Sequence, residues 1–258
     1  MHVNGRWLSL VALVAFFGLW ELSSASGWVS PVLISSPSAV ASAAVKLAKG
    51  SMLWADLAYT LRAFALAFVL ALGLGASLGA LIGLSRAAYH VVHPFVIAGN
   101  SVPKVVLMPL VILWVGMGMS ANVVLGALMA GFPIILSTHA GVQALERDYV
   151  RLARAFGAGR SMFLRTIVMP GSMPFVAAGA RVAVNYAMVG VLISEFFGSS
   201  RGVGHRMMLF MANFQVASFF VYLLLAASVT LLAAASVRGL EARLLRWRPP
   251  PEAAPGGL

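Results

Sequence analysis

Residues 57–84 read LAYTLRAFALAFVLALGLGASLGALIGL, and the one charged side chain in this run, Arg62, lies near its start. A helix needs about 20 mostly apolar residues to cross a bilayer, so the run predicts a membrane span. Small residues recur at every fourth position, which places them on one helix face. They are Ala67, Ala71, Gly75, Gly79 and Gly83. Such a face lets a neighbouring helix pack closely, although glycine is also generally common in membrane helices.

The composition of the whole chain is that of a protein surrounded by lipid. Of its 258 residues 61% are hydrophobic and 10% are charged, whereas a soluble domain carries about 25% charged residues. Five further apolar runs are long enough to be spans, at residues 8–25, 94–115, 121–140, 175–197 and 216–237. The fold class predicted is therefore an all-α polytopic membrane protein with six transmembrane helices.

The runs divide the chain into three parts. Residues 1–56 are predicted to hold the first helix and an external connecting segment rich in serine and proline. We expect the first helix to be retained, although small residues after it leave a cleaved signal peptide as the alternative. Residues 57–240 form the membrane core, with a long polar loop at 141–174. The proline- and alanine-rich tail at 241–258 is expected to be disordered.

The formal net charge is +11, yet its placement argues against nucleic-acid binding. Basic residues concentrate on one side of the predicted spans, as the positive-inside rule expects for cytoplasmic segments. That side receives Arg6, Arg86, Arg147, Arg151, Arg154, Arg160, Arg165, Arg238, Arg243, Arg246 and Arg248. The other side receives Lys46, Lys49, Arg62, Arg201 and Arg206. Both termini and the 141–174 loop are therefore predicted to be cytoplasmic.

The 141–174 loop has a pattern of its own. Apolar residues recur at helical spacing and arginines occupy a separate stripe, which predicts an amphipathic helix. The apolar residues are Leu145, Tyr149, Leu152 and Phe156. Gly157 breaks the pattern, and Pro170 is expected to end a second short segment. From the pattern alone, this helix lies in lipid headgroups, packs on the chain's own spans, or contacts a partner.

Residues 151–157, RLARAFG, and 167–170, IVMP, resemble the cytoplasmic coupling loop of type I ABC importer permeases. That family's pattern is Glu-Ala-Ala, three residues, Gly, nine residues, Ile, one residue, Leu-Pro. The matching positions are Ala153, Gly157, Ile167 and Pro170, while Arg151, Leu152 and Met169 depart from it. The resemblance extends over residues 56–248, which are similar to the nitrate, sulfonate and taurine branch of this family. Supporting stretches are LSR at 84–86, PLVILWVGMG at 109–118 and ISEF at 193–196.

The resemblance implies the function and the partners. The chain would be the permease subunit of an ABC importer in the bacterial inner membrane, forming the translocation pathway as a homodimer within lipid. A periplasmic or extracellular binding protein would deliver a small organic anion such as a sulfonate or taurine, or nitrate. A separate ATPase subunit would dock on the coupling loop and hydrolyse ATP. The coupling residues implied are Arg151, Leu152, Ala153, Arg154, Phe156, Gly157, Ile167 and Pro170.

The chain itself is not predicted to be an enzyme or to bind a cofactor. It contains no Gly-x-x-x-x-Gly-Lys-Ser/Thr phosphate loop and no cysteine, and no metal-ligand spacing or catalytic grouping stands out. The alternatives are a secondary transporter that works without ATP, whose internal repeats we do not find, and an integral-membrane enzyme.

Polar residues inside spans mark either structural partners or a pathway. Lys104, Arg181 and Glu195 are candidates for both roles, and for Arg181 and Glu195, which lie near predicted span ends, we expect structural pairing or a position at the membrane interface. Asn185 lies deeper in its predicted span and is the stronger candidate for the pathway.

Overall fold

The computed structural model describes residues 5–26, 34–145 and 156–247, and all regular structure in these ranges is helical. Two shorter turns lie between helices, a 3₁₀ turn at Lys104–Leu107 and a π-helical turn at Leu164–Val168. The helices are α1 Gly5–Ala25, α2 Pro37–Ala48, α3 Ser51–Leu84, α4 Arg86–Ser101, α5 Met108–Val115, α6 Met119–Gln143, α7 Arg160–Phe163, α8 Met169–Gly198, α9 Val203–Ala212 and α10 Val216–Leu244.

Five helical stretches in the described residues are long and apolar enough to cross a membrane. They are Trp7–Ser24, Ser51–Leu84, Met119–Gln143, Ser161–Gly198 and Val216–Leu244. A sixth span is counted when α4 is joined to the short helix that follows it, although the two are bent by 95°. The all-helical fold is confirmed, and six spans result only with this bent pair.

The third predicted span, 94–115, is wrong as a single straight helix. The helix begins earlier, at Arg86, which the Ser85 hydroxyl caps by accepting from Ala88 N at 3.2 Å. It ends at Val102, whose extended backbone (φ −69°, ψ 131°) precedes Pro103. Proline disfavours the helical region for the residue before it and has no N–H to continue the ladder. The chain therefore turns sharply inside the predicted span.

The small-residue face of α3 packs against α6, and the two helices run parallel. A Cβ at Gly75 would lie 3.1 Å from the Gly131 carbonyl, and one at Gly79 would lie 2.5 Å from that of Ile135. Further along, a Cβ at Gly83 would lie 2.6 Å from the Val142 Cβ. These backbones approach too closely for any side chain, so the glycines determine the helix spacing here.

Helices α6 and α8 pack antiparallel in the centre of the bundle. Gly190 approaches Gly126, and Gly179 approaches Ser137 about three turns further along. Near the far end, Gly141 faces Phe175. Together with α3, these helices bury a core that includes Phe64, Ala130, Ile134, Ala183, Val184 and Ala187.

Two predicted boundaries need correction. The external segment before the second span is partly helical, because α2 starts with the Ser36 hydroxyl accepting from Ala39 N and with Pro37 in its first turn. The second span itself begins at Ser51 rather than residue 57. The tail predicted from residue 241 begins inside α10, which continues to Leu244; residues 248–258 lie outside the described residues.

The prediction that Pro170 ends a helix is also wrong. Helical structure continues from Arg160 to Gly198, and Pro170 lies in the first turn of α8. The Met169 N–H bonds to the Leu164 carbonyl, five residues back, so the helix widens just before the proline. A π-helical turn changes which carbonyl each N–H meets, and this accommodates a residue that has no donor.

Candidate functional site

The predicted coupling helix lies mostly outside the described residues, which end at 145 and resume at 156. Arg151, Leu152, Ala153 and Arg154 therefore have no structural description. On the near side of this gap, the Leu145 side chain occupies the space beside Gly171, where a Cβ would overlap it. Leu145 thus packs on the chain's own α8.

The far side of the gap presents a different surface. Phe156 is 84% exposed although it is a large apolar residue. Gly157 follows with φ +67°, a left-handed conformation, and a Cβ there would meet nothing within 4 Å. Ile167 and Pro170 are half-buried, in the π-helical turn and in the first turn of α8. The described part of the loop therefore includes three apolar side chains that the other described residues leave mostly exposed, and Phe156 is the most exposed of them, ahead of Met162 at 62% and Met169 at 58%.

A buried carboxylate lies at the opposite end of the bundle. Glu195 is fully buried, and both of its carboxylate oxygens lie near the Thr60 hydroxyl, at 2.8 and 2.9 Å. The backbone N–H of Gly204 donates to the same carboxylate at 2.8 Å, and the Thr60 hydroxyl accepts from Val203 N at 2.9 Å. Glu195 therefore has the structural role expected of it, fastening the start of α9 to α3 and α8.

A second carboxylate lies beside the first. Asp56 accepts from Arg206 Nε at 2.8 Å, from the Gly202 backbone N–H at 3.2 Å and from the Tyr222 hydroxyl at 3.3 Å. We call Asp56, Thr60, Glu195, Arg206 and Tyr222 the outer cluster. Because a buried charge is costly unless it is paired and hydrogen-bonded, the outer cluster ties α3, α8, α9 and α10 into one arrangement.

Sequence reasoning missed most of the outer cluster. The sequence places Asp56 in the connecting segment and Arg206 among the basic residues of the external side, and neither position predicts that the two side chains pair. The available signal in the sequence was the pair of closely spaced glycines Gly202 and Gly204. The structure explains both, since a Cβ at either position would overlap Glu195 or the Leu192 carbonyl. Gly202 also has φ +105°.

Two further polar contacts lie within the spans. Ser194 donates to Asn122 Oδ1 at 2.8 Å between α8 and α6. Arg181 pairs with Glu241 of α10, with 3.3 Å between Nε and Oε2. Arg181 is thus a structural partner, as expected, and Glu241 belongs to the helical core rather than to a tail.

Asn185 lies on an exposed face of α8. Val182, Tyr186 and Val189 share this face and are each 45–47% exposed. The opposite face of the same helix packs against α6 and contains fully buried residues such as Val184 and Val191. An asparagine in lipid would leave its amide without partners, so this face needs polar surroundings that the described residues of a single chain do not supply.

A polar cavity of about 520 Å³ opens where α3 ends and α4 begins. Ser85, Arg86, Tyr89, His139 and Gln143 line it. The Tyr89 ring stacks on His93 at 4.6 Å and on His139 at 5.5 Å between centroids. In the part of the chain that the structure describes, no three histidine or carboxylate side chains are grouped as metal ligands.

Comparison with known proteins gives a family and several relatives. The family described as binding-protein-dependent transport system inner membrane component matches residues 70–246. A putative aliphatic sulfonates transport permease of Escherichia coli K12 is 32% identical over 95% of this chain and 94% of its own length. A riboflavin transport system permease of Chloroflexus aurantiacus is 30% identical over 92% of this chain and 88% of its own. A formylaminopyrimidine transport permease of Halalkalibacterium halodurans is 27% identical over 89% and 91%.

Solved structures share the fold. A chain of an inward-facing methionine ABC transporter superposes with a TM-score of 0.65 at 16% identity, over 76% of this chain and 99% of the other. A chain of an amino acid ABC transporter gives 0.59 at 17% identity, over 79% and 96%.

Proposed function

This chain belongs to the family of binding-protein-dependent transport system inner membrane components and is a permease subunit of an ABC importer, and we propose that a separate ATPase drives it through the loop at residues 141–174. The alternative of a secondary transporter is not favoured by this family. The observation that carries the proposal is the exposed Phe156 next to Gly157, at the end of a loop whose sequence matches the coupling pattern.

The coupling loop is proposed to act as a docking element. Phe156 supplies an apolar anchor for the ATPase surface, while Arg151, Leu152, Ala153 and Arg154 complete the contact. The π-helical turn at Ile167 and the first turn of α8 at Pro170 lead directly into the centre of the bundle. Because Leu145 packs on Gly171 at the base of the loop, a movement of the docked loop would displace α6 and α8 together. ATP is hydrolysed on the partner, and the permease holds no cofactor of its own.

A second copy of the chain is proposed to complete the pathway. The exposed face of α8 around Asn185 and the bent segment between α4 and α5 both carry polar groups that lipid cannot satisfy. A homodimer would cover part of these surfaces and leave the rest facing a water-filled route. Asn185 is proposed to line that route, whereas apolar α1, whose side chains are largely exposed, contacts lipid.

The orientation proposed is cytoplasmic for both termini and for the 141–174 loop, in a bacterial inner membrane. Arg86, Arg165 and Arg238 lie on the side with more basic residues, as the positive-inside rule requires. On the other side Arg206 is bound to Asp56, so it is neutralised within the protein. The outer cluster therefore faces the periplasmic or extracellular side, where a binding protein would deliver the substrate.

The substrate class proposed is a small organic anion. The Escherichia coli relative is described as a permease for aliphatic sulfonates, which supports this class. The riboflavin and formylaminopyrimidine relatives show that the family also serves other small organic molecules.

Co-purification tests the assembly directly. Two differently tagged copies of the chain are expressed with candidate ATPase subunits of the same genome and purified in mild detergent through one tag. We expect the second tag and one ATPase to be retained. Recovery of a single copy without any ATPase would contradict both parts of the proposal.

A further inference from the structure

The break between α4 and α5 places a lysine inside a membrane span. Lys104 begins the 3₁₀ turn after Pro103. Its ammonium donates to the Asn100 carbonyl at 2.8 Å and to the Val102 carbonyl at 3.5 Å. It also lies 4.6 Å from the centroid of the Phe132 ring. Two of the three ammonium donors are thus directed at the end of α4, and one is left for another acceptor.

The depth of Lys104 in the bundle follows from its contact with the Phe132 ring. Phe132 lies near the middle of α6, which runs from Met119 to Gln143, roughly 20 Å from the start of that helix at 1.5 Å per residue. The Gly118 N–H donates to the Gly198 carbonyl at 2.8 Å, which brings the start of α6 and the end of α8 to the same level. Lys104 is therefore near the middle of the bundle.

Asn185 lies at the same level. The antiparallel pair α6 and α8 is in register at Gly126 with Gly190 and at Ser137 with Gly179. Counting along both helices between these two contacts puts Asn185 opposite Gly131, next to Phe132. Asn185 and Lys104 thus occur at one depth.

Lys104 has no carboxylate partner among the described residues. Each described acidic side chain is bound elsewhere: Glu21 to Ser38, Asp56 to Arg206, Glu195 to Thr60 and Glu241 to Arg181. A cation in a span without a counter-ion faces the bundle interior or a water-filled cavity. The exposure of the break supports the same location. Val102 and Val106 are 42% and 71% exposed there, and non-helical backbone does not face lipid.

We propose that Lys104 and the α4–α5 break form an anion-selecting element of the translocation pathway, where the free ammonium N–H meets the sulfonate or carboxylate group of the substrate. This proposal rests on the proposed permease function and adds the residue that would select the charge of the substrate. The carbonyls of Asn100 and Val102 hold the ammonium in place, so the lysine is oriented before an anion arrives.

The absence of cysteine permits a direct test of this charge. Ser101, exposed at the end of α4, is changed to cysteine in the full chain within membrane vesicles of both orientations, with and without ATP. The thiol is then reacted with two probes of similar size, methanethiosulfonate ethylsulfonate, which is an anion, and methanethiosulfonate ethyltrimethylammonium, which is a cation. Ser42→Cys on the exposed side of α2 gives the intrinsic ratio of the two reaction rates.

We expect the anionic probe to be favoured at Ser101→Cys relative to Ser42→Cys. Adding Lys104→Gln should lower the anion-to-cation rate ratio by about tenfold, since one unit charge is removed a few ångströms away, whereas Lys104→Arg should preserve it. No reaction with either probe from either side would overturn the proposal, because the break would then not be water-lined. A ratio that does not depend on residue 104 would also overturn it, leaving Lys104 as a cap of α4.

Failure of the anion-selecting element is distinguishable from failure of the permease function. The first appears in the ratio of labelling rates, which needs neither an ATPase nor a known substrate. The second appears as the absence of a co-purifying ATPase. Unchanged labelling at Ser42→Cys in the Lys104 variants shows that they are folded and inserted.

Discussion

The Thr60 hydroxyl donates to the fully buried Glu195 carboxylate at 2.8 Å, joining two helices whose contacting residues are 135 positions apart. Around this bond, α9 is fixed to the bundle by backbone N–H groups rather than by a hydrophobic face alone. The structure thus uses buried charge to position its outer end, while the loop at the other end presents an exposed phenylalanine.

Thr60→Val tests the outer cluster. The substitution keeps the shape of the side chain but removes a hydrogen bond to a carboxylate and the acceptor of Val203 N. We expect the free energy of unfolding to fall by about 1–3 kcal/mol, measured by thermal or denaturant unfolding in detergent. Thr230→Val is the matched control, since Thr230 bonds only to the Ala226 carbonyl of its own helix. Equal stability of the two variants would contradict the role of the cluster.

Two glycines of α3 should respond in opposite directions to alanine. At Gly79 a Cβ would lie 2.5 Å from the backbone carbonyl of Ile135, so Gly79→Ala should destabilise the protein by about 1–3 kcal/mol. At Gly73 a Cβ meets nothing within 4 Å, and Gly73→Ala should stabilise by about 0.5–1 kcal/mol. The melting temperatures of the two purified variants check this; equal shifts would mean that α3 and α6 are not in close contact.

Alanine substitutions at Gly202 and Gly116 distinguish the cost of backbone strain from the cost of a steric overlap. Both have positive φ, +105° and +78°, but only a Cβ at Gly202 would overlap the Glu195 carboxylate. Gly116→Ala should therefore cost about 1–3 kcal/mol from strain, and Gly202→Ala should cost clearly more because it also displaces a buried charge. Unfolding of the two variants in the same detergent gives the comparison, and a smaller loss at Gly202 would be inconsistent with the described cluster.

Asn185→Leu tests the proposed pathway face of α8. Since Asn185 is exposed in the single chain, the change should alter stability by less than about 0.5 kcal/mol. Substrate-stimulated ATP hydrolysis by the complex should nonetheless fall several-fold if the amide faces the route. Val189→Leu, one turn away on the same face, serves as the control; if both variants keep full stimulation, Asn185 lies outside the pathway.

The sequence predicted the spans well because long apolar runs and small-residue spacing are local signals. It also identified Glu195 and Arg181 as structural partners, since a charge in a span needs compensation. It could not find Asp56 with Arg206, because pairing across 150 residues leaves no spacing to recognise.

The break at Pro103 was also missed, for a different reason. The apolar run continues through it, and hydropathy alone does not distinguish a straight span from one bent by 95°. The effect of Pro103 on Val102 was the available signal. Conversely, Pro170 was given too much weight, because the π-helical turn before it lets the helix continue.

ATP hydrolysis by the purified complex of permease and ATPase, reconstituted with its binding protein, tests the central claim most directly. Wild type is compared with Gly157→Val and Gly159→Val; both glycines have open space around a Cβ, but only Gly157 has positive φ, +67°. A β-branched residue there costs about 1–3 kcal/mol, so stimulation should fall by about tenfold in Gly157→Val and remain near wild type in Gly159→Val. Full stimulation in Gly157→Val, or no ATPase bound to the wild-type chain, would contradict coupling through this loop.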